Sequence, residues 1–256
     1  MIVALSLDQS PIYTPLPEET QPSRFNGLEP LNSSLGNVDT LLGLFADLWP
    51  IMHRLSTLRS SKFALEAAIA IGNSSEASVL RAEFDSTARG IELALRAWKP
   101  AVHPHSSADE WTLDDSRLQS VANNAEAYRY SALAYLYRDV YLYPQSSPLV
   151  QKWTHLSLIA CSNVVEFARN GYGGPLCALL WPLFTAACNA TDKADRELAT
   201  AAFTAIDRTQ GMKNIVDAWD VVGEVWRRLD LAEWDEVGEI HWQDICQERG
   251  LNIVFG

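Results

Sequence analysis

An apolar run in the second half of the chain restricts the fold more than any other feature. Residues 175–188 read PLCALLWPLFTAAC, and Thr185 is the only clearly polar residue among these fourteen. A bilayer-spanning helix needs about 20 apolar residues, so this run is too short for one. It must therefore lie inside a core that the rest of the chain builds, and we expect no membrane partner.

Pro182 interrupts the run directly after Trp181. Proline has no backbone N–H, and its ring disfavours helical geometry at the residue before it. We therefore expect the helix to kink or restart here, which leaves the carbonyl of Ala178 in need of water, a side chain or a ligand. We also expect this bend to lie against a cavity.

The remaining sequence has the apolar spacing of helices. No period-2 alternation or internal repeat interrupts this pattern, which predicts an all-α fold with eight to ten helices in one domain. Asp39 is expected to cap the first helix and Pro50 to kink or break it. The second helix is predicted to place Leu80, Phe84, Ala88, Ile91 and Leu95 on one face and to stop at Pro100. Later helices are predicted at 148–168, 193–208, 215–229 and 241–248.

Two segments differ from this regular pattern. Residues 118–143 carry apolar side chains on most sides, so we expect them to form a central helix surrounded by others. Residues 1–36 contain five prolines with Ser, Asn and Gly between them, a composition typical of extended chain. The sequence thus predicts a Pro-rich arm at 1–36 and an all-helical domain at 37–256.

Charge and cysteine content limit the partners and the compartment. The formal net charge of −12 makes direct nucleic-acid binding unfavourable, because that affinity comes largely from Lys and Arg. The N-terminus lacks the basic region of a secretory signal, so we expect a protein of the cytoplasm or nucleus. The cysteines form no CxxC pair and are expected to be buried free thiols. They are Cys161, Cys177, Cys188 and Cys246.

Few residues suggest a metal or a cofactor. His103 and His105 flank a proline in a polar loop, which is a poor ligand set, and we expect neither a metal nor a cofactor. Asp114 and Asp115 resemble part of a diphosphate-binding motif, but Leu118 stands where a third acid is needed. Capping of the long helix is the favoured interpretation of this pair. Phosphate-loop, dinucleotide and nucleophile-elbow motifs are absent from the sequence.

The aromatic content of the sequence is unusual, with nine Trp, eight Tyr and eight Phe. We expect a ligand pocket where the apolar run, the central helix and the helix carrying Trp219 and Trp226 converge. Core packing is the alternative for every candidate. The candidates are Tyr128, Tyr135, Tyr172, Cys177, Trp181, Phe184, Trp219 and Trp226, with His103 and Trp111 as a lid and Arg129 and Arg138 as charged groups.

Four segments in order resemble the fungal-specific transcription factor domain: AYRYSALAYLYRDVYLYPQSSPLVQ (127–151), GGPLCALLWPLFTAACNATDKADRELA (173–199), GMKNIVDAWDVVGEVWRRLD (211–230) and HWQDICQERGLNIVFG (241–256). The resemblance implies a helical regulatory region that is joined to a DNA-binding zinc cluster and that in some members senses a small apolar molecule. A zinc cluster needs six closely spaced cysteines, which this sequence lacks. We therefore expect an excised regulatory domain or a stand-alone copy that cannot bind DNA by itself.

These observations leave three functions open. The first is a small-molecule-binding regulatory domain for an apolar or aromatic metabolite. The second is a stand-alone, cofactor-independent enzyme of fungal secondary metabolism that catalyses a pericyclic cyclisation of Diels-Alder or hetero-Diels-Alder type on a polyketide or terpenoid intermediate. The sequence identifies no catalytic residue for it. The third is a dimerisation module without a ligand, and a homodimer remains open for all three.

Overall fold

A computed structural model describes residues 38–39, 44–45, 48–100, 113–171, 175–231 and 240–255. The all-α prediction is confirmed: these residues form eight α-helices in a single domain. The helices are α1 (Trp49–Ala70), α2 (Ser74–Ala97), α3 (Leu113–Tyr135), α4 (Pro148–Arg169), α5 (Leu180–Asn189), α6 (Lys193–Gln210), α7 (Lys213–Leu231) and α8 (Trp242–Arg249). None of the described helices is long and apolar enough to cross a bilayer.

The start of the first helix differs from the prediction. Asp39 lies in a two-residue strand, β1 (Val38–Asp39), which pairs antiparallel with β2 (Leu44–Phe45). Helix α1 begins only at Trp49, so Pro50 occupies its first turn. A proline is tolerated there because the first-turn N–H groups have no partner within the helix. Pro50 therefore starts the helix that it was expected to interrupt.

Local chemistry explains several other helix ends. The Asn73 side chain accepts a hydrogen bond from the Glu76 N–H at 3.3 Å and caps α2. The Asp192 carboxylate accepts from the Ala194 N–H at 2.9 Å at the start of α6. Helix α6 ends at Gly211, whose φ of 58° is a left-handed conformation that a side chain would disfavour. The arm predicted at residues 1–36 lies outside the described residues.

Helix α3 is the predicted central helix. It packs against α2, α4 and α5, and nearly every residue from Asn124 to Tyr135 is buried. A π-helical turn (Leu136–Val140) continues it, and we call this segment the π-turn. Asp114 and Asp115 lie in the first turn of α3, as the capping interpretation requires of their positions.

The apolar run forms the buried helix α5, preceded by a 3-10 turn (Leu176–Ala178). The helix starts at Leu180, so Pro182 lies in its first turn, which agrees with the predicted restart. The Tyr128 hydroxyl donates to the carbonyl of Ala178 at 2.7 Å and supplies the partner that Pro182 cannot. The three cavities described below, all lined by described residues, do not include Trp181 or Pro182, and the cavity expected at this bend stays a prediction.

Neighbouring helices complete the hydrogen bonding of α5. Because the last carbonyls of a helix have no partner within it, a buried helix end needs donors from outside. Three side chains donate to consecutive carbonyls here: Trp226 Nε1 to Ala187 at 2.9 Å, Gln145 Nε2 to Cys188 at 2.8 Å and Gln151 Nε2 to Asn189 at 2.8 Å. The last three carbonyls of α5 thus have donors from side chains outside the helix.

Candidate functional site

Three of the predicted site residues lie together in the core. The rings of Tyr128 and Trp181 stack with centroids 5.2 Å apart. Phe184 contacts the rings of Trp242 and Phe255, each at a centroid distance of 5.1 Å. All three predicted residues are buried. Their contacts are those of tightly packed core residues.

Trp219 and Trp226 lie on α7 and contact each other edge to face, with centroids 5.4 Å apart. Trp219 also packs on Phe203 of α6 at 4.9 Å. A cavity of about 260 Å³ opens beside this pair, between α6 and α7, and Val216 forms part of its wall. Another cavity, of about 380 Å³, lies between α4 and α6 and has a mostly polar lining.

The other predicted residues are dispersed. Arg129 Nε donates to Glu126 Oε2 at 2.6 Å, and its Nη1 donates to the Leu95 carbonyl at 3.2 Å, so this arginine joins α3 to α2. Cys177 is exposed in the 3-10 turn, which corrects the expectation that all four thiols are buried; Cys161, Cys188 and Cys246 are buried. Tyr172, His103 and Trp111 lie outside the described residues.

Tyr135 is the one predicted residue that reaches a large mixed cleft. This cleft, of about 270 Å³, lies between α1, the π-turn and the segment that begins α8, and we call it the α1–α8 cleft. Its apolar wall consists of Leu58, Phe63, Phe84, Tyr135, Val140 and Leu142. Its charged or titratable residues are Arg59, Lys62, Glu66, Asp139, His241 and Asp244, and Gln243 adds an amide.

The backbone at the cleft is irregular. The Tyr141 N–H donates to the carbonyl of Leu136 at 2.9 Å, five residues back, and this bond closes the π-turn. Leu142 then adopts a φ of 57°, which is unfavourable for a residue with a side chain. Such irregular helical turns occur frequently at functional sites. The turn brings Asp139 and Val140 into the cleft wall.

The π-turn is held from two directions. Toward α2, the Tyr141 hydroxyl donates to Glu92 Oε2 at 3.0 Å, and the Tyr137 hydroxyl donates to the same carboxylate. Residues 240–255 form the C-terminal segment, and Arg138 Nη2 donates to the carbonyl of Ile240 at its start, at 3.4 Å. Arg138 therefore links the end of the central helix to the residues that lead into α8.

The carboxyl of Asp139 in the cleft has a shifted pKa. Although the residue as a whole is only half-buried, the protein packed around its carboxyl raises the pKa above the ordinary aspartate value by desolvation. The positive charges of Arg138, His241 and Arg59 act in the opposite direction. Gln243 Nε2 approaches Asp139 Oδ1 at 3.5 Å. A carboxyl with this balance can exchange a proton or a counter-ion when a ligand binds.

The sequence did not identify the principal charged residues of this cleft. Arg59, Asp139 and His241 come from three distant parts of the chain, and their convergence depends on the tertiary fold. One signal was visible, the charged pair Arg138-Asp139 within a tyrosine-rich, otherwise apolar segment. In the described part of the chain, no three metal-ligating side chains come together, and His103 and His105 lie outside it.

Comparison with known proteins identifies the family of the chain. No curated protein and no solved structure matches the chain. The sequence model of the fungal specific transcription factor domain matches residues 7–256, which is nearly the whole chain. Because this match covers far more than half of its length, the chain belongs to the fungal specific transcription factor domain family.

Proposed function

We propose that this domain is a regulatory module that binds a small apolar or aromatic molecule in the α1–α8 cleft. The observation that carries the proposal is the composition of the cleft, where apolar side chains, three of them aromatic, face an equal number of charged or titratable side chains. Ligand sites commonly combine an apolar lining with a small number of polar groups that orient the ligand. The volume of about 270 Å³ suits a metabolite of modest size.

The position of the cleft supports a regulatory role. Its walls come from α1, from the π-turn after the central helix and from the segment before α8. A ligand that contacts all three favours the conformation in which they are close together, and it can change the surface offered to other proteins. We propose that the domain acts in the cytoplasm or nucleus on a separate DNA-binding partner, without touching nucleic acid itself.

Native mass spectrometry tests the site with two matched valine variants. Val140 lines the α1–α8 cleft, and Val216 lines the cavity between α6 and α7. After incubation with a metabolite extract, wild type and Val216→Phe should carry an added small-molecule mass, whereas Val140→Phe should not. Circular dichroism should show that both variants remain helical. The proposal fails if no mass is added to wild type, or if Val140→Phe keeps the ligand.

A second candidate is the cofactor-independent cyclase, and the raised pKa of Asp139 is the observation that favours it. A raised pKa favours the protonated form of this carboxyl, which can donate a hydrogen bond to a carbonyl oxygen of the substrate as charge develops there. Asp139→Asn removes the acidic proton while keeping the shape. Conversion of a polyketide or terpenoid diene should then slow at least tenfold, about 1.4 kcal/mol of barrier. Equal rates with wild type, variant and buffer would exclude this function.

A further inference from the structure

The cationic and the acidic side chains of the α1–α8 cleft differ in how many direct contacts they make within the protein. On α1, the Arg59 guanidinium lies over the Phe63 ring at 5.7 Å from its centroid, and Lys62 Nζ donates to the main-chain carbonyl of Asp139 at 3.4 Å. Both cations of this wall therefore have a partner within the protein.

The acids of the cleft have fewer direct contacts than the cations. Within the described residues, Glu66, Asp139 and Asp244 form no ion pair, and only Asp139 has a side-chain hydrogen bond, the long contact from Gln243. The carbonyl oxygen of Gln243 is buried and has no donor in the described part of the chain. Leaving a buried acceptor without a donor is unfavourable, so a ligand that supplies one is favoured. The Asp139 carboxylate and the Gln243 carbonyl oxygen thus offer hydrogen-bond acceptors to a ligand at this point of the cleft.

An ammonium group complements this arrangement. It carries a positive charge and three N–H donors, and it accepts no hydrogen bonds. We propose that the α1–α8 cleft binds an organic amine, with its ammonium group between Asp139 and Gln243 and its apolar part against Phe84 and Val140. This inference rests on the proposed function and names the ligand class of the same site.

Other charges around the cleft determine how strongly the amine binds. Arg138, His241 and Arg59 already lower the pKa of the Asp139 carboxyl, so a bound cation competes with them for the same charge. Glu66 and Asp244 add negative potential at the mouth, and the net charge of −12 attracts cations at longer range. Since the amine needs the ionised carboxylate, its affinity should rise as pH increases through the pKa of Asp139. Catalysis by a protonated Asp139 would have the opposite pH dependence.

Isothermal titration calorimetry of the full chain with three probes of similar shape tests the inference. Phenethylamine is a cation, phenethyl alcohol is neutral and hydrocinnamate is an anion near neutral pH. We expect phenethylamine to bind about tenfold more tightly than the alcohol, which corresponds to about 1.4 kcal/mol, and hydrocinnamate to bind most weakly. Asp139→Asn should make the amine and the alcohol equal. Glu197→Gln, at an exposed acid on α6, should leave the preference unchanged.

The outcomes separate this inference from the proposed function. If all three probes bind equally and Val140→Phe abolishes binding, the cleft is a ligand site but the amine class is wrong. If Asp139→Asn keeps the full preference for the amine while circular dichroism shows a native fold, the ammonium lies elsewhere and the inference fails. If no probe binds although wild type carries a metabolite that Val140→Phe loses, the amine proposal is overturned and the proposed function stands.

Discussion

At the scale of single residues, one hydroxyl allows a proline inside the apolar core. Tyr128 is completely buried and donates to the carbonyl of Ala178, which Pro182 leaves without an N–H partner. Tyr128→Phe should lower the free energy of unfolding by about 1–3 kcal/mol, because the carbonyl then stays buried and unpaired. Urea unfolding followed by circular dichroism measures this loss. Tyr143→Phe is the matched control, since that tyrosine is 41% exposed and should change stability little.

A second substitution tests the cause of that loss. Pro182→Ala restores an N–H that can donate to Ala178, so it should cost less in the Tyr128→Phe background than in wild type. A double-mutant cycle measures this coupling. Strictly additive effects of the two substitutions would show that the loss in Tyr128→Phe comes from packing against Trp181 and not from the carbonyl.

Leu142 offers a residue-scale test of backbone strain at the cleft. Its φ of 57° costs a side-chain-bearing residue about 1–2 kcal/mol, whereas glycine adopts it freely and loses about 0.5–1 kcal/mol in unfolded-chain entropy. Leu142→Gly should therefore stabilise the protein by about 0.5–1 kcal/mol. Leu93→Gly, at an equally exposed leucine within α2, should destabilise it by a similar amount. Destabilisation by both substitutions would mean that the Leu142 side chain stabilises the fold by more than its strain costs.

At the scale of elements, an arginine cluster joins α7 to α8. The Glu224 carboxylate accepts from Arg227 Nη2 at 2.6 Å and from Arg228 Nε at 2.8 Å, and it pairs with Arg249 at 2.9 Å. The hydrogen bonds from Arg227 and then Arg228 lower the pKa of Glu224 to about 2. Its stabilising effect is thus complete above the unfolded-state pKa of about 4.3, and it is lost as pH falls toward 2.

Glu224→Gln should therefore reduce stability at neutral pH, and its difference from wild type should shrink as pH falls from about 4.5 to 2. Thermal unfolding across this range measures the difference. High salt should diminish it, because Arg227 is largely exposed and its charge is screened. In Glu197→Gln, which removes an exposed acid on α6, the stability should follow the wild-type pH profile. A constant difference between Glu224→Gln and wild type at every pH would indicate a packing effect.

Elements with regular apolar spacing were the ones that the sequence predicted well. The face of α2 that buries Phe84, Ala88, Ile91 and Leu95 follows from helical periodicity. The start of α1 was wrong because an apolar pattern at residues 41–48 fits a helix, whereas Pro50 favours the helix start. The π-turn and the α1–α8 cleft were not predicted, since both depend on contacts such as those of Arg138 with distant residues. The predicted aromatic residues that the structure describes were mostly found in packed positions, with Tyr135 at the cleft and Trp219 at the cavity between α6 and α7.

At the scale of the whole molecule, the C-terminal segment connects the core to the cleft. Ile253 and Phe255 are buried, and Phe255 packs on Phe184 of α5, whereas Val254 between them is 42% exposed. The same segment holds His241 and Gln243 in the cleft wall. Docking of Phe255 in the core should therefore determine whether one side of the cleft forms.

Phe255→Ala tests this connection at a distance from the ligand. The substitution should cost about 3–5 kcal/mol of stability, because it removes a buried ring and leaves a cavity next to Phe184. It should also weaken phenethylamine binding at a temperature where the variant is still folded, although Phe255 does not line the cleft. Val254→Ala, one residue away and facing solvent, should keep both properties. If folded Phe255→Ala binds phenethylamine with unchanged affinity, the cleft forms without the docked Phe255, and the proposed connection between core and cleft is wrong.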